Sequence, residues 1–389
     1  MKKHLLFIFS SIGHAYIHMF TAFYFVIVLS LEQEWQLPYH ELIKLWTPGA
    51  LLVGLGALPA GWLSDHWSRT GMLVIFFLGM GLSAVAAAFA PDPMTLVLAL
   101  AGIGLFAAIY HPVGIPLVIS TSAKSPGKAL AINGVFGSLG AALAGLISGY
   151  LLDLGGRQLA FLLPGLLAVV TGLVMLFSIG TGPFKAKPKV QKSTTTAAAR
   201  RSWLWSFVTL LFCMFLGGLI YHSTQGVLPK VFSVRLGGKN GIDVSTVGNY
   251  VALVYVIAAA FQFVGGILAD RFILRNVYRA SYLLQIPLLL LAANSQGFML
   301  VIVACVMVSV AIAALPAENI MLSKLAPDQH HGVAFAAKFV LSFGVAPIAV
   351  LMISQVNALT GGFVWVFWIL AAAAMLVLLA AGRLPATQK

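Results

Sequence analysis

The sequence predicts an all-α membrane protein: 12 transmembrane helices in two pseudo-symmetric halves of six. Three observations predict it. The first is composition. Of 389 residues, 60% are hydrophobic and 8% charged, with a mean hydropathy of +0.99. A soluble domain is about one quarter charged, and so few charges cannot cover a soluble surface. A cytosolic enzyme is excluded. So is a secreted disulfide scaffold, because Cys213 and Cys305 both sit inside apolar runs and read as small buried residues. The second observation is a series of apolar stretches of about 20 residues, the length that crosses a bilayer. The third is an internal repeat. Gly61-Trp62-Leu63-Ser64-Asp65-His66 matches Gly266-Ile267-Leu268-Ala269-Asp270-Arg271. Gly127-Lys128-Ala129-Leu130-Ala131 matches Gly332-Val333-Ala334-Phe335-Ala336 at the same offset of 205 residues. Two matches at one offset point to a duplicated six-span unit.

Cutting at Pro, Gly and charge clusters places the spans at 5–31, 41–64, 70–90, 94–121, 128–152, 158–181, 204–230, 244–269, 276–294, 297–323, 332–357 and 361–382. The first follows Lys2 and Lys3, but it is too long for a signal-peptide core, carries two histidines and lacks a small-residue cleavage site, so it is read as a mature helix. It carries His14 and His18 four residues apart, on one helical face. The fourth span carries Tyr110, His111, Pro112 and Pro116. Proline removes a backbone hydrogen bond, so 110–116 is expected to bend. Pro316 is the repeat partner of His111, so the tenth span is expected to bend at matching depth. The Gly137, Gly140 and Gly145 run of the fifth span reads as a packing face. Residues 182–203 are polar, basic and broken by proline, and are expected to link a bundle at 1–181 to one at 204–389. The seventh span adds Tyr221, His222 and Gln225. The tenth adds Glu318 with Asn319, and the eleventh Lys338.

The net charge is +13, from 23 Lys and Arg against 10 Asp and Glu. Only Lys44, Arg157, Lys230, Arg235 and Lys239 fall on one side of the expected membrane, and Lys338 falls within a span; all the others fall on the side of the termini and the linker. The positive-inside rule makes that side cytoplasmic. The basic excess is thus topological, and no nucleic-acid partner is expected.

These residues carry a family resemblance. The G-x-L-x-D-R loop with basic residues after it, between spans 2 and 3 and again between 8 and 9, resembles the signature loop of the major facilitator superfamily. The first copy keeps Gly61 and Asp65, has His66 where the pattern has Arg, and has Arg69 as its basic residue; the second keeps Gly266, Asp270, Arg271 and Arg275. The resemblance covers essentially the whole chain. It implies alternating access around a cavity lined by helices 1, 4, 7 and 10, with both loops acting as a cytoplasmic gate. More narrowly, Gly13-His14, Ile109-Tyr110-His111-Pro112, Gly127-Lys128-Ala129-Leu130 and the Asn133-Gly134 run resemble fosmidomycin-resistance-type exporters, which implies efflux of small polar or anionic compounds by proton antiport. The fourth span lacks the early Arg and the fifth the Gly-Pro pair common in drug antiporters.

Ionisable groups inside spans mark a pathway by default. Glu318 and Lys338 lie roughly 8–9 Å in from the cytoplasmic face on consecutive helices and can pair. They read either as a plain ion pair or as a proton carrier with its partner. His14, His18 and His111 fall near mid-membrane. They read as hydrogen-bonded packing, as a proton switch, or as metal ligands, with no carboxylate expected near them. The sequence carries no Walker A, Gly-x-Ser-x-Gly or His-Glu-x-x-His pattern, so neither direct ATP drive nor an enzyme is expected. The function expected is secondary active transport, by proton-coupled export of a small polar or anionic solute, in a monomer of the inner membrane without cofactor. Two alternatives stand: a divalent-metal or metal-chelate exporter using His14, His18 and His111, and a non-transporting receptor on a transporter fold.

Overall fold

A computed structural model describes residues 2–121, 126–182, 197–237, 242–325 and 331–386. Most of the expected linker, residues 183–196, lies outside them. So do the side chains at 126–128 and 331–336, where the second repeat match begins.

The helices are α1 (Lys2–Trp35), α2 (Tyr39–Leu55 and Ala57–His66), α3 (Arg69–Ala88), α4 (Pro93–Thr121), α5 and α6 (within Pro126–Ile179), α7 (Ala197–Leu236), α8 (Val244–Arg271), α9 (Leu274–Asn294), α10 (Gly297–Leu325), α11 (His331–Gly344 and Ala346–Thr360) and α12 (Val364–Ala381). Among the described residues, nine helices are long and apolar enough to cross a membrane, or ten with the bent α2 as one span. Two more spans complete the set of 12. Pro126–Ile179 breaks at Gly155 and Gly156, and Gly156 has φ 63° and ψ −164°, a conformation open essentially to glycine alone. It is therefore two helices, 126–154 and 157–179. α9 is long enough to cross but carries Arg275 and Arg279 in its first two turns, which lower its hydropathy.

Several boundaries differ from the expected ones for identifiable reasons. α1 runs past residue 31 through the polar Glu32-Gln33-Glu34 because both glutamates find partners: Glu34 pairs with Arg157 at 2.8 Å and Glu32 with Lys230. Arg157 also lies over the Trp35 ring at 5.3 Å. α4 bends at Ala108 and Ile109, ahead of the expected 110–116. Pro112 cannot donate to the carbonyl four residues back, that of Ala108; the break falls there, and Ile109 N–H turns to Phe106 O at 3.2 Å. The matching bend of α10 sits at Ala314, just before Pro316, and 314 is 109 shifted by the repeat offset. α4 starts on a capping box in which Asp92 accepts from Thr95 N–H at 2.9 Å. That bond holds the Asp92 carboxyl below the usual aspartate value.

The first six helices meet the last six closely at the end of the bundle remote from the termini. There Glu32 of α1 pairs with Lys230 of α7, Tyr39 Oη donates to Gly226 O at 3.4 Å, and Ser354 Oγ donates to His40 O at 2.6 Å. Backbones approach at the same end: a Cβ on Gly248 of α8 would lie 2.2 Å from Gly145 O of α5.

Candidate functional site

The site is assembled from α1, α4, α7, α10 and α11. On α1 the four-residue spacing brings His14 and His18 together, with ring centroids 5.0 Å apart and planes tilted by 49°. The bend of α4 brings His111 against both, at 5.6 Å and 5.8 Å. One nitrogen from each of the three imidazoles lies within 4.8 Å of the other two. His14 is fixed from three sides. Its Nδ1 is 2.7 Å from Asn133 O on α5, its ring stacks on Tyr110 at 5.0 Å, and Gly137 leaves it room, since a Cβ there would lie 2.8 Å from the ring. Tyr110 Oη donates to Ser10 O at 2.7 Å and accepts from Asn133 Nδ2 at 3.0 Å. Gly114 passes the same ring so closely that a Cβ would lie 2.5 Å from it.

Across the bundle, α10 and α11 form a second constellation. Lys338 Nζ is 2.8 Å from Glu318 Oε1, with side chains 9% and 5% exposed. Lys338 also donates to Asn319 Oδ1 at 2.5 Å, and Tyr278 Oη of α9 donates to Glu318 Oε2 at 3.0 Å. A buried ion pair persists only when its remaining donors and acceptors are met, and Tyr278 and Asn319 meet them. The next residue along α11, Phe339, stacks on His111 at 4.8 Å, and Phe343 stacks on it at 4.7 Å. Phe343 also reaches His222 of α7 at 5.6 Å, and the His222 ring meets Tyr221 at 5.2 Å. Gln225 donates to Tyr221 Oη at 3.3 Å. A cavity of about 20 Å³, bordered by Phe343, His222, Trp46 and Thr21, lies beside these rings on the side of the joined end.

The loop residues are placed apart from this centre. Asp65 pairs with Arg69 at 2.7 Å within its own half, and Gly61 packs towards Pro112. Asp270 and Arg271 are exposed, Asp270 has no ion pair among the described residues, and Arg275 donates to Leu384 O at 2.9 Å. Among the described residues an ion pair forms within the first loop, where Arg69 stands four residues after Asp65, and none forms at Asp270. Of the proline pair, Pro112 lies in the first turn after the bend and Pro116 inside the helix.

Sequence reasoning missed Tyr278 and Tyr282 of α9, whose rings meet at 4.9 Å beside Glu318. The signal was present: Tyr278, Tyr282 and Gln285 recur at helical spacing on the least apolar span. It also missed Phe339 and Phe343, ordinary apolar residues whose role exists only across the two halves.

The chain matches the family model of the Major Facilitator Superfamily over residues 10–239 and 217–389. It is 27% identical over 232 residues to the uncharacterized MFS-type transporter YfnC of Bacillus subtilis (strain 168), a stretch covering 59% of this chain and 56% of that protein. It is 24% identical over 240 residues to the multidrug resistance protein MdtG of Proteus mirabilis (strain HI4320), covering 60% of this chain and 57% of that protein. The chain thus spans a little over half the length of these relatives. Among solved structures, a bacterial homolog of the human lysosomal transporter Spinster, inward-facing and unoccupied, superposes with a TM-score of 0.76 over 98% of each chain at 16% identity.

Proposed function

The chain belongs to the Major Facilitator Superfamily, a family of multi-pass membrane transporters, and from that premise we propose that it is a proton-coupled exporter of a small polar or anionic solute. The observation that carries the reading is the buried Glu318–Lys338 pair, set beside the rings at which the two sets of six helices meet. A charge pair buried in an apolar bundle is costly to keep, and ionisable groups at such depth by default mark a pathway. We take residues 1–181 and 204–389 as the two moving bundles, the termini as cytoplasmic, and the inner membrane as the site. On that orientation the joined end faces outward.

Protonation of Glu318 neutralises one member of the pair and leaves Lys338 held by Asn319 alone. Proton occupancy therefore changes what a solute meets. A solute that binds through the Glu318 carboxylate is displaced by the proton, which gives exchange. A solute that binds only through the Lys338 ammonium is helped by it, which gives co-transport. Export by proton antiport, the direction implied by the fosmidomycin-resistance-type resemblance, needs the first arrangement. The solute we propose accordingly carries hydrogen-bond donors for Glu318 as well as an acceptor or anionic group for Lys338. The test is flux in proteoliposomes with an imposed pH gradient. Glu318→Gln keeps the shape and the bond from Tyr278 but cannot cycle a proton. Solute counterflow and gradient-driven accumulation are both expected to fall in that variant, because a neutral amide stands where the solute needs the carboxylate. Accumulation at the wild-type rate would overturn the proton role of Glu318.

A further inference from the structure

We propose that His14, His18 and His111 form a binding site for a divalent first-row transition-metal ion of the zinc, cobalt and nickel class, with a fourth position left for an anionic donor of the transported solute. Only the statement about the solute rests on the transporter reading above; the metal site stands on the side chains themselves.

The donor set fits in three respects. First, three imidazole nitrogens on two helices already lie within 4.8 Å of one another. A tetrahedral ion with bonds of about 2.0–2.1 Å holds its nitrogens about 3.3 Å apart, so binding would draw the three rings inward from within that bound. Second, His14 has the tautomer a ligand needs. A carbonyl only accepts, so Nδ1 carries the hydrogen donated to Asn133 O at 2.7 Å, and Nε2 presents its lone pair. Metal-binding histidines characteristically make such an orienting bond with the other nitrogen. Third, His111 is 7% exposed, and neither of its ring nitrogens has a hydrogen-bond partner. A buried polar group without a partner asks for an explanation, and a ligand between the three rings supplies one.

The chemistry of the set selects the ion. Three imidazoles without a carboxylate suit zinc, nickel and cobalt and do not suit calcium or magnesium, which take oxygen ligands. Three neutral ligands leave the ion its full double charge, and the cationic Lys338 lies one residue before Phe339, whose ring stacks on His111 at 4.8 Å. An anionic fourth ligand lowers that cost, so a solute bearing a carboxylate or similar group is the fitting co-ligand, and the cargo is a metal complex.

The full chain in detergent, titrated with cobalt(II) and followed by visible absorption, tests the site. One equivalent is expected to give the intense bands of a tetrahedral centre, azide is expected to shift them, and zinc is expected to raise the melting temperature by mass action. His18→Gln and His111→Gln are expected to abolish both responses, and exposed His66→Gln to retain them. No saturable cobalt spectrum in the wild type, or one that persists in both variants, overturns the site. A spectrum indifferent to azide overturns the open fourth position. Zinc X-ray absorption on the wild type needs no variant: three imidazoles at about 2.0 Å support the site, and an all-oxygen or sulfur shell overturns it. Gradient-driven flux without any metal response would remove the metal site and leave the exporter reading intact. Metal binding without flux would do the reverse.

Discussion

At the scale of single residues the Glu318–Lys338 pair makes the sharpest energetic statement. With side chains 5% and 9% exposed, neither charge has water to fall back on. Removing one partner of a buried pair costs about 3–5 kcal/mol, while replacing both by neutral groups of similar shape is often nearly neutral. Lys338→Met is therefore expected to lower the melting temperature of the detergent-solubilised protein by several degrees. The double variant Glu318→Gln/Lys338→Met is expected to recover most of that loss, because no charge is left without a partner. A double variant as unstable as Lys338→Met would show that shape, and not charge, dominates at this position. Tyr278→Phe removes one bond, 3.0 Å from Tyr278 Oη to Glu318 Oε2. A bond to a charged group contributes about 1.5–3 kcal/mol, so its thermal shift should fall below that of Lys338→Met.

At the scale of helices the glycines of α5 set how close its neighbours come. A Cβ on Gly140 would lie 2.1 Å from the carbonyl oxygen of Ala15, a backbone atom that no side-chain rotation can move. Gly140→Ala must push α1 away from α5, and that motion pulls His14 from Asn133. The cost expected is about 1–3 kcal/mol or more, read as a lower melting temperature and a smaller monodisperse fraction after extraction. Gly266 of α8 has nothing within 4 Å of such a Cβ. Gly266→Ala is therefore expected to be neutral or slightly stabilising, since alanine is the better helix former by about 1 kcal/mol. Much of this level was legible in the sequence. Apolar run length gave the spans, the 205-residue offset anticipated the bend at Ala314 from that of α4, and the glycine run announced close packing. The location of the α4 bend was less legible, because proline breaks the turn before itself. Partners such as His14 and Asn133, 119 residues apart, were not legible as pairs. Nor was the stacking of Phe339 on His111, because a phenylalanine in a membrane helix looks the same in sequence whether it faces lipid or a histidine. The polar and charged members of the site could be named because they are rare in such spans; their apolar neighbours could not.

At the scale of the whole molecule the question is what holds the halves together at the end remote from the termini. On the transport reading proposed above, alternating access requires that this end part and rejoin, and the bonds there then set a population rather than a permanent structure. Glu32 and Lys230 form the charged part of that closure, and Lys230 also lies over the Tyr39 ring at 5.2 Å. The pair keeps 26% and 16% of its side-chain surface exposed, so solvent screening limits it to about 1 kcal/mol. That is still about a fivefold change in a two-state ratio. Glu32→Gln should raise the population parted at this end by that factor, and the swapped pair Glu32→Lys/Lys230→Glu should restore it, since attraction does not depend on which helix carries which charge. Spin labels at exposed Gln36 and Leu359 report the separation directly. A longer-distance component is expected to grow in Glu32→Gln and to shrink again in the swap. Added salt should mimic Glu32→Gln in the wild type and have little effect on Glu32→Gln itself, because the screened interaction is already gone. If the distance distribution of Glu32→Gln superimposed on that of the wild type, the closure would rest on the uncharged bonds of Tyr39 and Ser354 and on the glycine contact between α5 and α8. The halves would then be latched by packing, and the charges at this end would have no part in setting which face of the molecule is open.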